Sequence, residues 1–219
     1  MKIAVFGGSF NPIHIGHLAL ADDVCMSLGY DRVLFVPTCN PPHKEMNGAL
    51  PAGMRLNLVR LACGTDERFC AEDCEVRRSG VSYTYDTICY LEDYYRDILD
   101  GPIGLIMGDD LLPGFHLWYK ARELSEKCTL ILARRTVLAE DKTYSNVHSG
   151  EYANVAHGEM EFDISSEPLF KNAVRLDNAV LPVSSTDIRS RIASGRSFKY
   201  LVPTAVFNYI KDGALYGYK

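Results

Sequence analysis

Two histidines set a helical turn apart, behind a pair of glycines, are the first residues in this chain whose types and spacing could do chemistry. They lie in Gly7-Gly8-Ser9-Phe10-Asn11-Pro12-Ile13-His14-Ile15-Gly16-His17, between the apolar run Ile3-Ala4-Val5-Phe6 and an amphipathic segment. The order reads as strand, loop, helix. Glycines let the main chain approach an anion without side-chain clash, and the helix that follows aims free N–H groups and its positive dipole end at the same place. His14 and His17, at i and i+3, can face one ligand. A second anion-binding pattern is Ser184-Ser185-Thr186-Asp187-Ile188-Arg189. Hydroxyl caps open a helix there, and Arg189 lies one turn in, on the face of Thr186. An arginine in a first turn opposes the helix dipole, so stability alone is a weak reason for it, while a bidentate grip on phosphate is a good one.

The glycine loop matches neither standard nucleotide fingerprint. It has no G-x-G-x-x-G and no Lys-Ser/Thr after the glycines, which takes support from dinucleotide oxidoreductases and P-loop NTPases. A plain strand-to-helix turn with nearby histidines is one alternative. A zinc site is another, although no carboxylate or cysteine stands at ligand spacing from the pair. For Ser184 to Arg189 the alternative is a capped helix without a ligand.

The elements that must position these residues follow from periodicity. Leu18, Ala21, Val24, Cys25 and Leu28 recur at helical spacing and Gly29 sits at a C-cap position, which predicts a helix over 16–28. Residues 32–37, 69–72, 102–107, 129–133 and 179–183 read as further strands. Helices are predicted over 51–63, 84–96, from 184 and from 203 to 212, with Gly213 as a stop. Continuous apolar strands alternating with helices imply a parallel sheet covered on both faces: an α/β, Rossmann-like open sheet. In such sheets ligands bind at the carboxyl ends of strands. Asn40 and Lys44, in Thr38-Cys39-Asn40-Pro41-Pro42-His43-Lys44, fall at that edge, as do Gly108-Asp109-Asp110 and Arg134-Arg135. Lys44 reads equally well as a solvated loop lysine, and Trp118, the only tryptophan, as core. Residues 137–178 show weak periodicity and read as a long excursion.

The bulk properties set bounds. With 219 residues and 47% hydrophobic content the chain fits one domain, 1–219, whose part from 184 onward completes the anion site. A formal net charge of -5 argues against nucleic-acid binding, so an anion ligand must be small and met by local positive charge. No signal-peptide pattern or membrane-length apolar stretch occurs. The seven cysteines are scattered without paired spacing, as reduced thiols of a cytoplasmic protein would be. Cys70 and Cys74 read as buried neutral thiols rather than metal ligands.

The histidine loop resembles the nucleotidylyltransferase superfamily. Over nearly the whole chain the motifs resemble those of bacterial nicotinate-nucleotide adenylyltransferases. They are the loop itself, Pro41-Pro42-His43-Lys44, Ser82-Tyr83-Thr84 with Asp86-Thr87, Gly108 with Asp110, Trp118, and Ser184-Ser185-Thr186 with Ile188-Arg189. The resemblance implies transfer of the adenylyl group of ATP to nicotinate mononucleotide (NaMN), with magnesium accompanying the ATP. It implies ATP contacts from Gly7, Gly8, Ser9, Phe10, His14, His17, Gly108, Asp110, Ser185, Thr186 and Arg189. It implies acceptor contacts from Asn40, Lys44, Tyr83, Thr84, Trp118 and Arg134, and catalytic roles for His14, His17, Lys44 and Arg189. The chain departs from the family pattern at Asn11, where Asp is common, at Asp109, and at Arg134-Arg135-Thr136, where Arg-Pro-Gly is usual, so Arg134 and Arg135 both stay candidates for the phosphate contact. The rival readings are pantetheine-phosphate adenylyltransferase and a non-catalytic nucleotide sensor.

Overall fold

The computed structural model describes residues 1–40, 48–78, 80–134, 164 and 167–219. They form a six-stranded parallel sheet in the order β3-β2-β1-β4-β5-β6. The strands are β1 (Ile3–Gly8), β2 (Arg32–Pro37), β3 (Phe69–Ala71), β4 (Gly104–Gly108), β5 (Thr129–Ala133) and β6 (Val174–Leu176). The helices are α1 (Ile15–Leu28), α2 (Ala52–Cys63), α3 (Cys74–Arg78), α4 (Thr84–Tyr95), α5 (Ala121–Lys127), α6 (Ser185–Ala193) and α7 (Thr204–Asp212). A 3-10 helix, Asp109–Leu117, leaves the end of β4. This is the Rossmann-like open sheet that the sequence predicts, and the strand order reverses direction between β1 and β4.

Alternation along the strands sorts the core into two layers. Ala4, Val33, Phe35, Ile106 and Ile131 point to the face covered by α1, α2, α6 and α7, whereas Ile3, Val5, Leu34, Leu105 and Leu130 meet α4, α5 and Phe115. Helix α1 ends as predicted: Gly29 takes a left-handed conformation (φ 68°) and its N–H closes on the Cys25 carbonyl at 3.1 Å. Ile188 and Ile192 of α6 are buried at 0% and 4% exposure, so this helix docks its apolar stripe on the same layer as α1.

Two expectations need correction, and one short helix was not foreseen. The late strand expected at 179–183 is not one. Val180 and Leu181 are exposed, and the strand beside β5 is Val174–Leu176 instead, of which only Leu176 is buried. An edge strand with one inward residue gives little apolar signal, while the stronger run at 179–183 is irregular chain leading into α6, with the Val183 N–H turning back to the Leu181 carbonyl. The fourth strand lies two residues later at its start than expected, and the short α3 lacks the length that periodicity needs. No helix among the described residues is long and apolar enough to cross a membrane. Pro41, Pro42, His43, Lys44 and Arg135, and most of 137–178, lie outside the described residues.

Candidate functional site

The carboxyl end of β1 runs into a loop whose geometry differs from the simplest expectation for a glycine pair. Neither Gly7 nor Gly8 is in the left-handed region; the positive φ belongs to Phe10, at 45°. A Cβ on Gly8 would lie 3.0 Å from the Phe10 ring, so Gly8 makes room for that ring, whereas a Cβ on Gly7 would meet nothing within 4 Å. Phe10 is 1% exposed and packs edge-on against Phe6, Phe35 and the His17 imidazole, the last at 5.1 Å between centroids. A bulky residue at positive φ is a strained choice, on the order of 1–3 kcal/mol, that surrounding packing must enforce. The strain fixes where the loop turns.

The two imidazoles stack, with centroids 3.6 Å apart and planes 28° from parallel. The main-chain N–H of His14 donates to His17 Nδ1 at 3.2 Å. An Nδ1 that accepts cannot carry the ring proton, which then sits on Nε2, where it can be given to a phosphate oxygen. His14 is 5% exposed.

The second helix start comes to the same loop. Ser184 caps α6 by accepting from the Asp187 N–H at 3.1 Å. Ser185 Oγ donates to the Pro12 carbonyl at 2.8 Å, and Arg189 Nη1 donates to the Asn11 carbonyl at 2.7 Å. Arg189 Nη2 donates to Thr186 Oγ1 at 3.2 Å, the i and i+3 pairing predicted from spacing. Asp187 turns back to Arg191 at 2.6 Å and so takes its negative charge away from Arg189. Two further ties hold the junction: the Ile15 N–H donates to the Leu201 carbonyl, and a Cβ on Gly16 would lie 2.9 Å from Val183 Cγ1. Gly16 is therefore required where α1 meets the segment entering α6.

Asn11 is the hub of this corner. Its main-chain carbonyl takes Arg189, and its Oδ1 accepts from the Leu50 N–H at 3.3 Å and from the Tyr216 hydroxyl at 2.8 Å. Burial pushes the Tyr216 phenol up, against the pull of Arg189 and Arg55, so it stays a hydroxyl donor.

The other side of the crevice is built on β2, α4 and the 3-10 helix. The Asn40 carbonyl accepts from the Ser82 N–H at 3.0 Å, which brings the end of β2 beside the start of α4. Tyr83 is the N-cap of α4, and its side chain gives no cap bond, so Thr84 begins the helix with main-chain donors facing outward. Beneath them Glu75, 7% exposed, accepts from the Cys39 N–H and from Thr87 Oγ1, while Arg78 Nη2 donates to the same Thr87 oxygen. Tyr83 packs at a tilt on Tyr119, with ring centroids 4.6 Å apart, and Lys120 Nζ lies 4.4 Å from the Tyr85 ring centroid. Trp118 is half-buried, its ring 5.3 Å from that of Phe115. Phe115 fills the core position, which leaves Trp118 at the rim. Gly108 ends β4 and caps the 3-10 helix, and one Asp110 carboxylate oxygen is shut off from solvent.

Arg134 stands apart. Its guanidinium pairs with Asp177 and the Asn178 carbonyl, and buried Asn178 bonds both the Arg134 N–H and its carbonyl. A phosphate contact there would have to exchange for the Asp177 pair. Sequence reasoning also missed Arg55, a wholly buried arginine in α2 that reaches three main-chain carbonyls under the crevice. Its only signal was a cation among the apolar positions of a helix. The described residues contain no group of three His, Cys, Asp or Glu able to hold a metal.

Comparison with known proteins places the chain. The profile of the cytidylyltransferase-like family matches residues 5–191. A protein of Treponema pallidum named "Probable nicotinate-nucleotide adenylyltransferase" is 39% identical over 216 residues, covering 99% of each chain. One of the same name from Clostridium tetani is 34% identical, covering 98% of each. Among solved structures, Plasmodium falciparum nicotinic acid mononucleotide adenylyltransferase complexed with NaAD has a TM-score of 0.70 at 16% identity, covering 100% of this chain and 98% of that one. That likeness speaks for the fold.

Proposed function

The chain belongs to the cytidylyltransferase-like family and, within it, to the nicotinate-nucleotide adenylyltransferases, and from that membership we infer that it transfers the adenylyl group of ATP to NaMN. The products are nicotinate adenine dinucleotide (deamido-NAD) and pyrophosphate, and the reaction belongs to NAD biosynthesis. The observation that carries the residue assignments is the bond from Arg189 to the Asn11 carbonyl, which sets the start of α6 against the imidazole loop.

The nucleophile is the phosphate of the mononucleotide, whose second pKa near ~6 leaves it ionised at neutral pH. It needs no general base. The enzyme has to align two mutually repelling anions for in-line attack on the α-phosphorus and supply positive charge where the leaving pyrophosphate gathers negative charge. In this reading His14, His17, Ser185, Thr186 and Arg189 grip the triphosphate. Gly7, Gly8, Ser9 and Phe10 shape the loop around it, and Gly108 with Asp110 receives the adenosine. Asn40, Lys44, Tyr83, Thr84 and Trp118 receive NaMN, the indole against the pyridine ring and the outward N–H groups of α4 toward the carboxylate. The 184–219 part completes the ATP site within one domain.

Magnesium would accompany ATP, and with no group of three His, Cys, Asp or Glu able to hold a metal among the described residues, the ATP phosphates would have to supply much of its coordination. When bound it offsets part of the phosphate charge. All seven cysteines are free thiols, in keeping with a cytoplasmic setting.

The test is incubation with ATP and magnesium plus NaMN, nicotinamide mononucleotide or phosphopantetheine, with mass spectrometry of products. Deamido-NAD and pyrophosphate from NaMN, at the highest specificity constant of the three, is the expected result. ATP binding without pyrophosphate release would instead make the chain a nucleotide sensor.

A further inference from the structure

We propose that Arg55 is a positioning residue for this transfer, clamping the phosphate loop to the acceptor-side loop through three main-chain carbonyls. The proposal rests on the reading given under Proposed function. Arg55 is 1% exposed, the largest wholly buried side chain among the described residues. Its Nη1 donates to the Ser9 carbonyl at 2.7 Å, its Nη2 to the Thr38 carbonyl at 2.7 Å, and its Nε to the Leu50 carbonyl at 3.0 Å. These acceptors come from the end of β1, the end of β2 and the approach to α2. Among the described residues no carboxylate pairs with it. Burial pulls the guanidinium down from its usual range, with only distant help from Cys39, Tyr216 and Glu75.

A cation buried on neutral acceptors is a poor way to stabilise a fold, because an apolar side chain of similar volume fills the same space without the desolvation penalty. What an arginine offers in exchange is a planar fork of donors at fixed angles. Here the fork holds two loops that the rest of the crevice depends on. Ser9 precedes Phe10, whose ring buttresses His17, and Asn11, which takes Arg189. Thr38 precedes Cys39 and Asn40, which meet Glu75 and Ser82. Leu50 donates to Asn11 Oδ1 and so closes the circuit back to the phosphate loop. Arg55 touches no reacting atom in this arrangement. It sets the distance between the triphosphate grip and the acceptor side, the quantity on which in-line attack depends most steeply.

The experiment compares wild type with Arg55→Met and Arg55→Lys, each checked for native circular dichroism, by kcat and by KM for ATP and for NaMN. Loss of register lowers kcat by about 100-fold in Arg55→Met, the scale of a small misplacement of reactants, with much smaller changes in either KM. Arg55→Lys keeps the charge but not the fork, and its kcat stays within about a factor of ten of the Met variant's rather than returning to wild type. Guanidinium ion added to Arg55→Gly restores part of the rate, and methylammonium does not. Native-like kcat in either Arg55→Met or Arg55→Lys overturns the proposal; should the Met variant not fold, the Lys variant decides. A wild type that makes no deamido-NAD counts against the activity itself. In that case amide hydrogen exchange at residues 9–11 and 38–40 reads the clamp: faster exchange in Arg55→Lys than in wild type supports it, and unchanged exchange overturns it.

Discussion

At the phosphate corner, segments as far as 205 positions apart in sequence are tied together by hydrogen bonds aimed at main-chain carbonyls and one amide. At the acceptor corner, Tyr83, Tyr85, Tyr119 and Lys120 meet through ring faces and edges, Trp118 packs on Phe115, and the polar ties lie underneath, around Glu75 and Thr87. Both corners sit on the same sheet edge. The contrast fits what each is proposed to hold. Charge gathering on a leaving pyrophosphate must be met by donors at fixed distances, whereas a flat pyridine ring is recognised by area, which tolerates sliding. Substitutions at the first corner should therefore act on turnover, and those at the second on affinity and substrate choice.

The sharpest way to break this contrast is Arg189→Ala. It removes a phosphate donor and the tie to Asn11 together, and kcat is expected to fall more than ~100-fold, as is that of His14→Ala. Near-native turnover in either variant would take that residue out of the mechanism. Trp118→Ala should raise KM for NaMN about tenfold, the loss of one stacking contact, and leave kcat much less affected. Steady-state kinetics with NaMN varied at saturating ATP reads this directly, and a fall confined to kcat would place the indole with the phosphate machinery instead.

Tyr216→Phe probes the scaffold of the phosphate corner without touching its charges. Losing the hydroxyl that Asn11 accepts should cost about 1 kcal/mol, seen as a melting temperature lower by ~2–4 °C, with a small change in kcat. A contribution that is silent at neutral pH comes from both core layers. Burial pushes the Cys63, Cys74 and Cys128 thiols up to about 12 and Cys25 to about 11, from an ordinary 9.0. Above pH 9 the unfolded chain gives up these protons while the folded chain keeps them, so stability is full below pH 9 and falls as pH rises through 11 to 12. Melting curves from pH 8 to 11 should show this decline, and a thiol label at pH 8 should leave Cys63, Cys74 and Cys128 unmodified until the protein unfolds.

Much of the frame was legible in the sequence, because strands such as Arg32–Pro37 and Thr129–Ala133 are short apolar runs bounded by polar residues. The two helix starts, which share an anion-binding pattern in the sequence, do meet: Ser185 and Arg189 of α6 donate to the Pro12 and Asn11 carbonyls. Other features depend on tertiary context. Val174–Leu176 is a strand because β5 offers it an edge, not because of its own pattern. Phe10, and not a glycine, carries the positive φ because three aromatic neighbours, Phe6, His17 and Phe35, and the space left by Gly8 give its ring one place to go. Arg55 reads from sequence as a polar interruption of α2, and its three acceptors come from loops on either side of the sheet edge. The guanidinium of Arg134 turns onto Asp177, a partner 43 positions away that no spacing rule would pair with it.

The contact between Asn11 and Arg189 spans 178 positions of chain. On a translating ribosome adding ~5–20 residues per second, roughly 10–35 s separate the emergence of the histidine loop from that of its partner helix. A nascent polypeptide thus carries the histidine loop long before it carries the arginine that docks on it. If that arginine completes the nucleotide grip as proposed, half-made copies transfer no adenylyl group, and activity begins only when α6 docks.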